Sequence, residues 1–238
     1  MAVEEARPDA VLIAGDVFES MMAHWRRTPY ETLAEAIPGV KIIFTLGNHE
    51  FIFDTIGGVI GFYEKHYRPG SFDVHCLDVV GRVDLHGVRV FGNALFYDGT
   101  IMRVKGQKLT DFADGRWLDR EIRNFDPVKE CAKAAEAIRA NMPRPGDGIA
   151  ATVLMTHCVP CAELNAHPTM GDQSDEFSAF SGVSWLLDEI RPDIAVCGHT
   201  HLPAELSRGG TRAINIGNDY SGPLLRRLIE VSMADDGD

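Results

Sequence analysis

Four short runs of continuously apolar residues lie in the first and last thirds of the chain, with helical patterns between them. The runs are AVLIAG (10–15), VKIIFTLG (40–47), ATVLMT (151–156) and DIAVCG (193–198). Short, continuously apolar runs that end in glycine or polar residues predict fully buried strands. Helices are predicted at 31–38, 51–67 and 182–190. This alternation predicts an α/β fold with crossover connections.

The middle of the chain has a different pattern. Residues 73–95 alternate between apolar and polar positions in short segments separated by glycines, which indicates a more antiparallel β region. Residues 100–148 are polar and helical in character, most clearly at 126–142, and TRAINIG (211–217) predicts a further strand. No repeat or linker divides the sequence. We therefore predict a single domain over 1–238 with a helical insertion around 100–148.

Composition narrows the classes of partner. The formal net charge of −12 argues against tight binding of long nucleic acid, which normally requires a basic surface. A small anionic substrate is compatible with this charge, because a bound metal reverses the local field. No apolar stretch reaches the length of a membrane span. The five cysteines are odd in number and irregularly spaced, with no export signal before them, which indicates reduced thiols in the cytoplasm.

Each apolar run ends in side chains that can bind a metal or transfer a proton. In chain order they are Asp16, Asn48 with His49, His157, and His199 with His201. Singly, such residues are commonly helix caps, turn residues or hydrogen-bonded histidines. Turn chemistry does not explain all four together. Because ligands bind at the carboxyl ends of strands in open α/β sheets, we expect these side chains to converge.

The stretch TLGNHEF (45–51) shows why turn chemistry is insufficient. A turn at this position needs Gly47 and can use Asn48. It requires neither His49 nor Glu50. In GHTH (198–201), the two histidines are spaced so that both imidazoles fall on one side of an extended segment.

The motifs GDVFE (15–19), GNHE (47–50), TH (156–157) and GHTH (198–201) have the order and approximate spacing found in the calcineurin-like metallophosphoesterases. The chain resembles that superfamily from residue 10 to about 220. The resemblance implies a four-layer α/β/β/α sandwich of two mixed β-sheets with a two-metal site between the strand ends. It also implies hydrolysis of a small phosphodiester or phosphomonoester by attack of metal-bound hydroxide.

The resemblance also assigns a role to each motif residue. Asp16 would bridge both metals, and His201 would bind the second metal. The first metal would be held by four side chains, Asp16, Asn48, His157 and His199. His49 would approach the phosphate and its leaving group, and as a general acid it would contribute about 10²–10⁴-fold. Imidazole, carboxylate and amide ligands suit Mn, Fe or Zn. These roles leave Glu50 without a function.

The chain departs from the superfamily at its first motif. An opening strand normally ends in Asp-x-His and supplies two further ligands to the metal that His201 binds, but residues 1–16 contain no histidine. The second metal would then have only Asp16 and His201, one fewer than the three protein ligands usual for catalytic zinc. Either the sequence begins at an internal methionine of a longer protein, or the second metal has been lost. The loss would leave a one-metal enzyme or a non-catalytic regulatory relative. In both cases the first strand is missing, and the flank of the strand at 10–15 should be exposed.

Two further observations bear on function. Cys158 and Cys161 form a C-x-x-C beside His157, which gives a weaker third hypothesis, a thiol oxidoreductase. Protein phosphatases of the superfamily carry arginines near GD and GNHE, where this chain has Glu19, Ser20 and Leu46. That difference favours a small phosphate ester over a phosphoprotein as the substrate.

Overall fold

The computed structural model describes most of the 238-residue chain. The described residues are 6–17, 28–67, 73–101, 121–165, 180–217 and 228–231. Within the predicted helical insertion, residues 102–120 lie outside this part of the chain.

A three-stranded parallel sheet forms from the first part of the chain. Its strands, in spatial order, are β1 (Ala10–Ala14), β2 (Lys41–Thr45) and β3 (Val74–Cys76). β2 lies in the centre, and the side chains of Ile42, Ile43 and Phe44 are fully buried. In β1, four of the five residues are only half-buried. Full burial of this strand was therefore a wrong prediction, because β1 has a described neighbour on one side only.

The second sheet has six strands. In spatial order they are β4 (Arg82–Leu85), β5 (Val88–Asn93), β6 (Ala151–Thr156), β7 (Ile194–Cys197), β9 (Thr211–Asn215) and β8 (Ala204–Arg208). The four central strands pair in parallel, and β4 and β8 add antiparallel edges. The carboxyl ends of β6 and β7 therefore lie side by side.

Five α-helices connect these strands in the described residues. They are α1 (Pro29–Ala36), α2 (Ile56–His66), α3 (Leu77–Val80), α4 (Pro127–Asn141) and α5 (Leu186–Ile190). The sequence encodes the starts of α1 and α4 with side-chain caps: Thr28 forms a capping box with Glu31, and Asp126 accepts from the backbone N–H of Lys129.

Several elements differ from the sequence-based expectation. The helix predicted at 51–67 begins at Ile56, and the strand Ala204–Arg208 was not predicted. Two further differences follow from tertiary contacts. Residues 77–80 form the short helix α3 instead of continuing a strand, because the Asp78 carboxylate accepts backbone N–H bonds from Leu46 and Ala94 in neighbouring segments. The helix predicted at 182–190 begins at Leu186, because Gly182 forms an isolated β-bridge with Val159.

The two sheets pack face to face. One hydrophobic cluster combines Ala14 and Ile43 of the first sheet with Val90, Val153 and Val196 of the second. Helices α1 and α4 pack against strands β2 and β5, so helices cover the outer faces. This arrangement confirms the predicted α/β fold of two sheets between helices. In the described residues only the second sheet is mixed, because all three strands of the first sheet run parallel. None of the described helices has the length and apolar character needed to cross a membrane.

Candidate metal centre

The candidate site lies where the carboxyl ends of four strands meet. Asp16 follows β1 and Asn48 follows β2, both in the first sheet. His157 follows β6 and His199 follows β7 in the second sheet. Because the two sheets pack face to face, residues distant in sequence are brought to one point, as expected for ligand sites in α/β folds.

The Nε2 atom of His157 lies at the centre of this group. It is 3.1 Å from Asn48 Oδ1, 3.1 Å from His199 Nδ1 and 3.2 Å from Asp16 Oδ2. Donor atoms at the corners of a tetrahedron around an ion, with metal–ligand bonds of 2.0–2.2 Å, would be roughly 3.3 Å apart. The distances from His157 Nε2 to the other three donors therefore fit a shared divalent cation.

Hydrogen bonds on the outer side of each imidazole fix which nitrogen faces the centre. His157 Nδ1 lies 2.8 Å from the carbonyl oxygen of Ala14, and His199 Nε2 lies 2.8 Å from that of Phe180. Since a carbonyl can only accept, both of these nitrogens carry a proton and donate. In the neutral rings, His157 Nε2 and His199 Nδ1 then present lone pairs to the centre, as metal-binding histidines do.

The electrostatics of Asp16 and His157 are linked. Burial alone would lower the pKa of His157, but the nearby Asp16 carboxylate raises it to about 9. Burial would likewise raise the pKa of Asp16, but the charge and hydrogen bond of His157, together with His49 and His199, hold it well below its usual range. In the metal-free protein the two form an ion pair, and a cation binding here would displace the proton from His157.

His49 stands beside this group but does not point a donor into it. Its backbone N–H donates to Asp16 Oδ1 at 3.1 Å, while its ring Nε2 is 4.0 Å from Asp16 Oδ2. The ring is 21% exposed, and Asp16 is 27% exposed. A ligand entering from solvent would therefore meet His49 and Asp16 together, which suits proton transfer to a bound group.

His201 occupies a different position from the other predicted ligands. It is half-buried, and burial lowers its pKa, while the Asp16 carboxylate opposes that shift and His49 and His157 add to it. Among the described residues, the acidic or histidine donors that fall within 4.8 Å of one another are those of Asp16, His157 and His199, without His201. The structure thus brings together four of the five predicted metal ligands and places His201 to one side.

Two glycines permit the close approach of the strand ends. Gly15 has a left-handed backbone with φ of +79°, and a Cβ there would lie 2.6 Å from His157 Nδ1. A Cβ on Gly47 would lie 2.1 Å from Asp16 Oδ1. Any larger residue at either position would displace a ligand.

Sequence reasoning gave no function to Glu50, which is fully buried in the structure. Its carboxylate accepts backbone N–H bonds from Asp16, Val17 and Gly47. The only signal in the sequence was a glutamate at a turn that did not require one.

The cysteines do not have the environment of reactive thiols. All five are free and buried. Burial raises the pKa of Cys161 to about 11 and holds that of Cys197 well above its usual value. Reactive cysteines have lowered pKa values and solvent access. The structure therefore gives no support to the thiol oxidoreductase hypothesis.

Solved structures of other proteins resemble this chain over most of its length. A solved structure of phosphopantetheinyl hydrolase (PptH) from Mycobacterium tuberculosis superposes with a TM-score of 0.61 at 18% identity, over 88% of this chain and 79% of its own. At that identity the similarity shows the fold alone. GAP50, the anchor in the inner membrane complex of Plasmodium, matches with a TM-score of 0.49 at 10% identity, over 97% of this chain and 68% of its own.

No curated protein sequence matches the chain significantly. A family profile described as calcineurin-like phosphoesterase matches residues 1–203, which include every strand-end motif. The profile match, the two-sheet fold and the convergence of the motif side chains lead to one conclusion: the chain belongs to the calcineurin-like phosphoesterase family.

Proposed function

We propose that this protein is a metal-dependent phosphoesterase that hydrolyses a small phosphodiester or phosphomonoester. The observation that carries the proposal is the group of donors around His157 Nε2, with oxygen and nitrogen neighbours at 3.1–3.2 Å. Membership of the family supports the reaction class. The net charge of −12 favours a small substrate over long nucleic acid, and five free cysteines fit a reducing cytoplasm.

The residues divide into two metal positions in this proposal. The first is formed by four side chains, Asp16, Asn48, His157 and His199. The second is formed by Asp16 and His201. A divalent Mn, Fe or Zn ion held there would neutralise the charge on phosphate oxygens and lower the pKa of a bound water toward neutral pH.

The protein's own residues orient the substrate and move the proton. Asp16 uses Oδ2 toward His157 and Oδ1 toward the backbone N–H of His49, so one carboxylate fixes both the ligand group and the loop that carries His49. The partly exposed ring of His49 donates a proton to the departing alkoxide. This assistance matters most for a leaving group that is a strong base.

A second candidate function is a regulatory module that binds one metal and does not catalyse. The observation favouring it is that the second position has only Asp16 and His201, one fewer than the three protein ligands usual for catalytic zinc. In this case the first position would be filled and the second would stay empty.

Metal content and turnover distinguish the two. The purified full chain, supplied with Mn²⁺, should bind two equivalents and hydrolyse bis-p-nitrophenyl phosphate or p-nitrophenyl phosphate. His201→Ala should lose one equivalent and retain the other, whereas His199→Ala should weaken the four-donor position. A single equivalent in the wild type with no turnover would support the regulatory module instead.

A further inference from the structure

Glu50 has the one side chain of the GNHE motif that neither metal binding nor proton transfer explains. Its side chain is fully buried next to the site. Oε1 accepts the backbone N–H of Val17 at 2.7 Å. Oε2 accepts those of Gly47 at 2.7 Å and Asp16 at 3.1 Å. One carboxylate therefore satisfies three backbone donors from two strand ends.

These three donors converge on one carboxylate and so form an anion site. Gly15 and Asp16 have consecutive left-handed backbones, with φ of +79° and +55°, and the amides of Asp16 and Val17 both donate to the Glu50 carboxylate. Successive amides in such turns form nests that bind anions. The nest after β1 is filled by a side chain from the loop after β2.

This bond pattern determines where Asp16 lies. A left-handed backbone is uncommon for a residue other than glycine and requires support from its surroundings. Glu50 supplies that support by holding the amides of Asp16 and of the next residue, Val17. Gly47, which Glu50 also holds, lies directly against Asp16. The Asp16 carboxylate then reaches 3.2 Å from His157 Nε2.

We propose that Glu50 is a positioning residue: it fills the anion nest after β1 and thereby holds Asp16 in its metal-binding orientation. The consequence for catalysis rests on the proposed phosphoesterase function. The effect on metal affinity and on the backbone does not, and it is measurable without turnover.

The test uses Glu50→Gln and Glu50→Asp in the full chain, with Glu64→Gln as the matched control. Glu64 is an exposed residue of α2 and takes no part in the hydrogen bonds that hold Glu50. Glutamine has one oxygen acceptor, and its NH₂ group would face a backbone donor. Aspartate keeps both oxygens and the charge but is one methylene shorter.

In metal-free protein, NMR should show hydrogen exchange of the Asp16, Val17 and Gly47 amides at least about tenfold faster in Glu50→Gln than in the wild type. Mn²⁺ affinity, measured by electron paramagnetic resonance, should fall by about 10–100-fold, as for other residues that orient metal ligands. Glu50→Asp should recover part of this affinity, and Glu64→Gln should match the wild type. Where the wild type turns over substrate, kcat should fall with KM little changed.

Folded Glu50→Gln protein with Mn²⁺ affinity within twofold of the wild type would overturn the proposal. The wild type provides an independent test if the variant does not fold. Rapid exchange of these three amides in the metal-free wild type, at rates of an open loop, would also overturn it. A wild type that binds Mn²⁺ but hydrolyses no phosphate ester would refute the proposed function. The Mn²⁺ affinity and hydrogen exchange of the Glu50 variants would still test the positioning role.

Discussion

The two sheets hold their sides of the site in different ways. The first sheet contributes oxygen donors on loops, and carboxylates fix those loops through backbone amides: Glu50 binds the amide of Gly47, and Asp78 binds that of Leu46. The second sheet contributes imidazoles, and backbone carbonyls fix the rings directly. The oxygen side can therefore be altered by mutating residues that are not ligands. On the nitrogen side, the bonds that orient the rings come from backbone carbonyls, so mutating a neighbouring side chain does not remove them.

Asp78 also joins the two sheets. Its Oδ2 accepts the N–H of Leu46 at the end of β2, and its Oδ1 accepts that of Ala94 at the end of β5, both at 2.8 Å. One half-buried side chain thus joins the oxygen side of the site to the second sheet.

The largest expected effect comes from the nitrogen side. His157→Ala removes the atom around which the other donors gather, so turnover should fall on the order of 10³-fold or more and Mn²⁺ binding at the four-donor position should be lost. Metal analysis and steady-state kinetics measure both. His66→Ala is the matched control, since His66 is an exposed histidine stacked on Phe62. Unchanged metal content in His157→Ala would refute the ligand role.

Replacing His49 should separate catalysis from metal binding. His49→Ala should lower kcat about 10²-fold or more while metal content stays at the wild-type level, because the ring is not among the grouped donors. The loss should be greater for alkyl phosphate esters than for p-nitrophenyl esters, whose leaving group needs little protonation. Equal losses for both kinds of ester would argue against the general-acid role.

Asp78, which supports the loop after β2, should make the protein's free energy of unfolding depend on pH. Burial raises the pKa of Asp78 in the folded protein from 3.8 to about 6. Between these values the folded state keeps a proton that the unfolded state has released. The stabilisation is therefore complete below about pH 4 and is lost as pH rises through 6.

In Asp78→Asn this pH-dependent loss disappears. Relative to the wild type, the variant's free energy of unfolding should rise by on the order of 2–3 kcal/mol between pH 4 and pH 7. Urea unfolding in the presence of a chelator measures it, and exposed Glu136→Gln serves as the control. The side-chain amide introduced by Asp78→Asn also lowers stability, because its NH₂ group lies near a backbone donor. This contribution is the same at pH 4 and pH 7, so it does not affect the difference between the two pH values. A difference between variant and wild type that does not vary with pH would contradict the assignment.

The smallest effect on activity is expected from the cysteines beside His157. The double variant Cys158→Ala/Cys161→Ala should keep turnover within about twofold, with a loss of roughly 1–2 kcal/mol in stability because both side chains are buried. Kinetic assays and thermal unfolding measure the two quantities. Abolished turnover in a folded double variant would revive the thiol hypothesis.

Several features could be predicted from the sequence because they depend on local patterns. The apolar run at 151–156 became the strand Ala151–Thr156, and the helical pattern at 126–142 became Pro127–Asn141 with Asp126 as its cap. The four strand-end motifs predicted the family and the convergence of Asp16, Asn48, His157 and His199. Periodicity and turn chemistry depend on residues that are close in sequence, so a single amino-acid sequence is enough to recognise them.

Other features depended on contacts between distant parts of the chain. The helix at Leu77–Val80 replaces a predicted strand because of bonds that Asp78 makes to Leu46 and Ala94, 32 and 16 positions away. The bond between Glu50 and the amide of Val17 spans 33 positions. Burial of a charged side chain is favourable only when its partners are assembled around it. The sequence by itself therefore determined most of the residues that meet at the candidate site. Only the tertiary structure decided that His201 lies outside the group at His157 and how Glu50 and Asp78 hold the other residues in place.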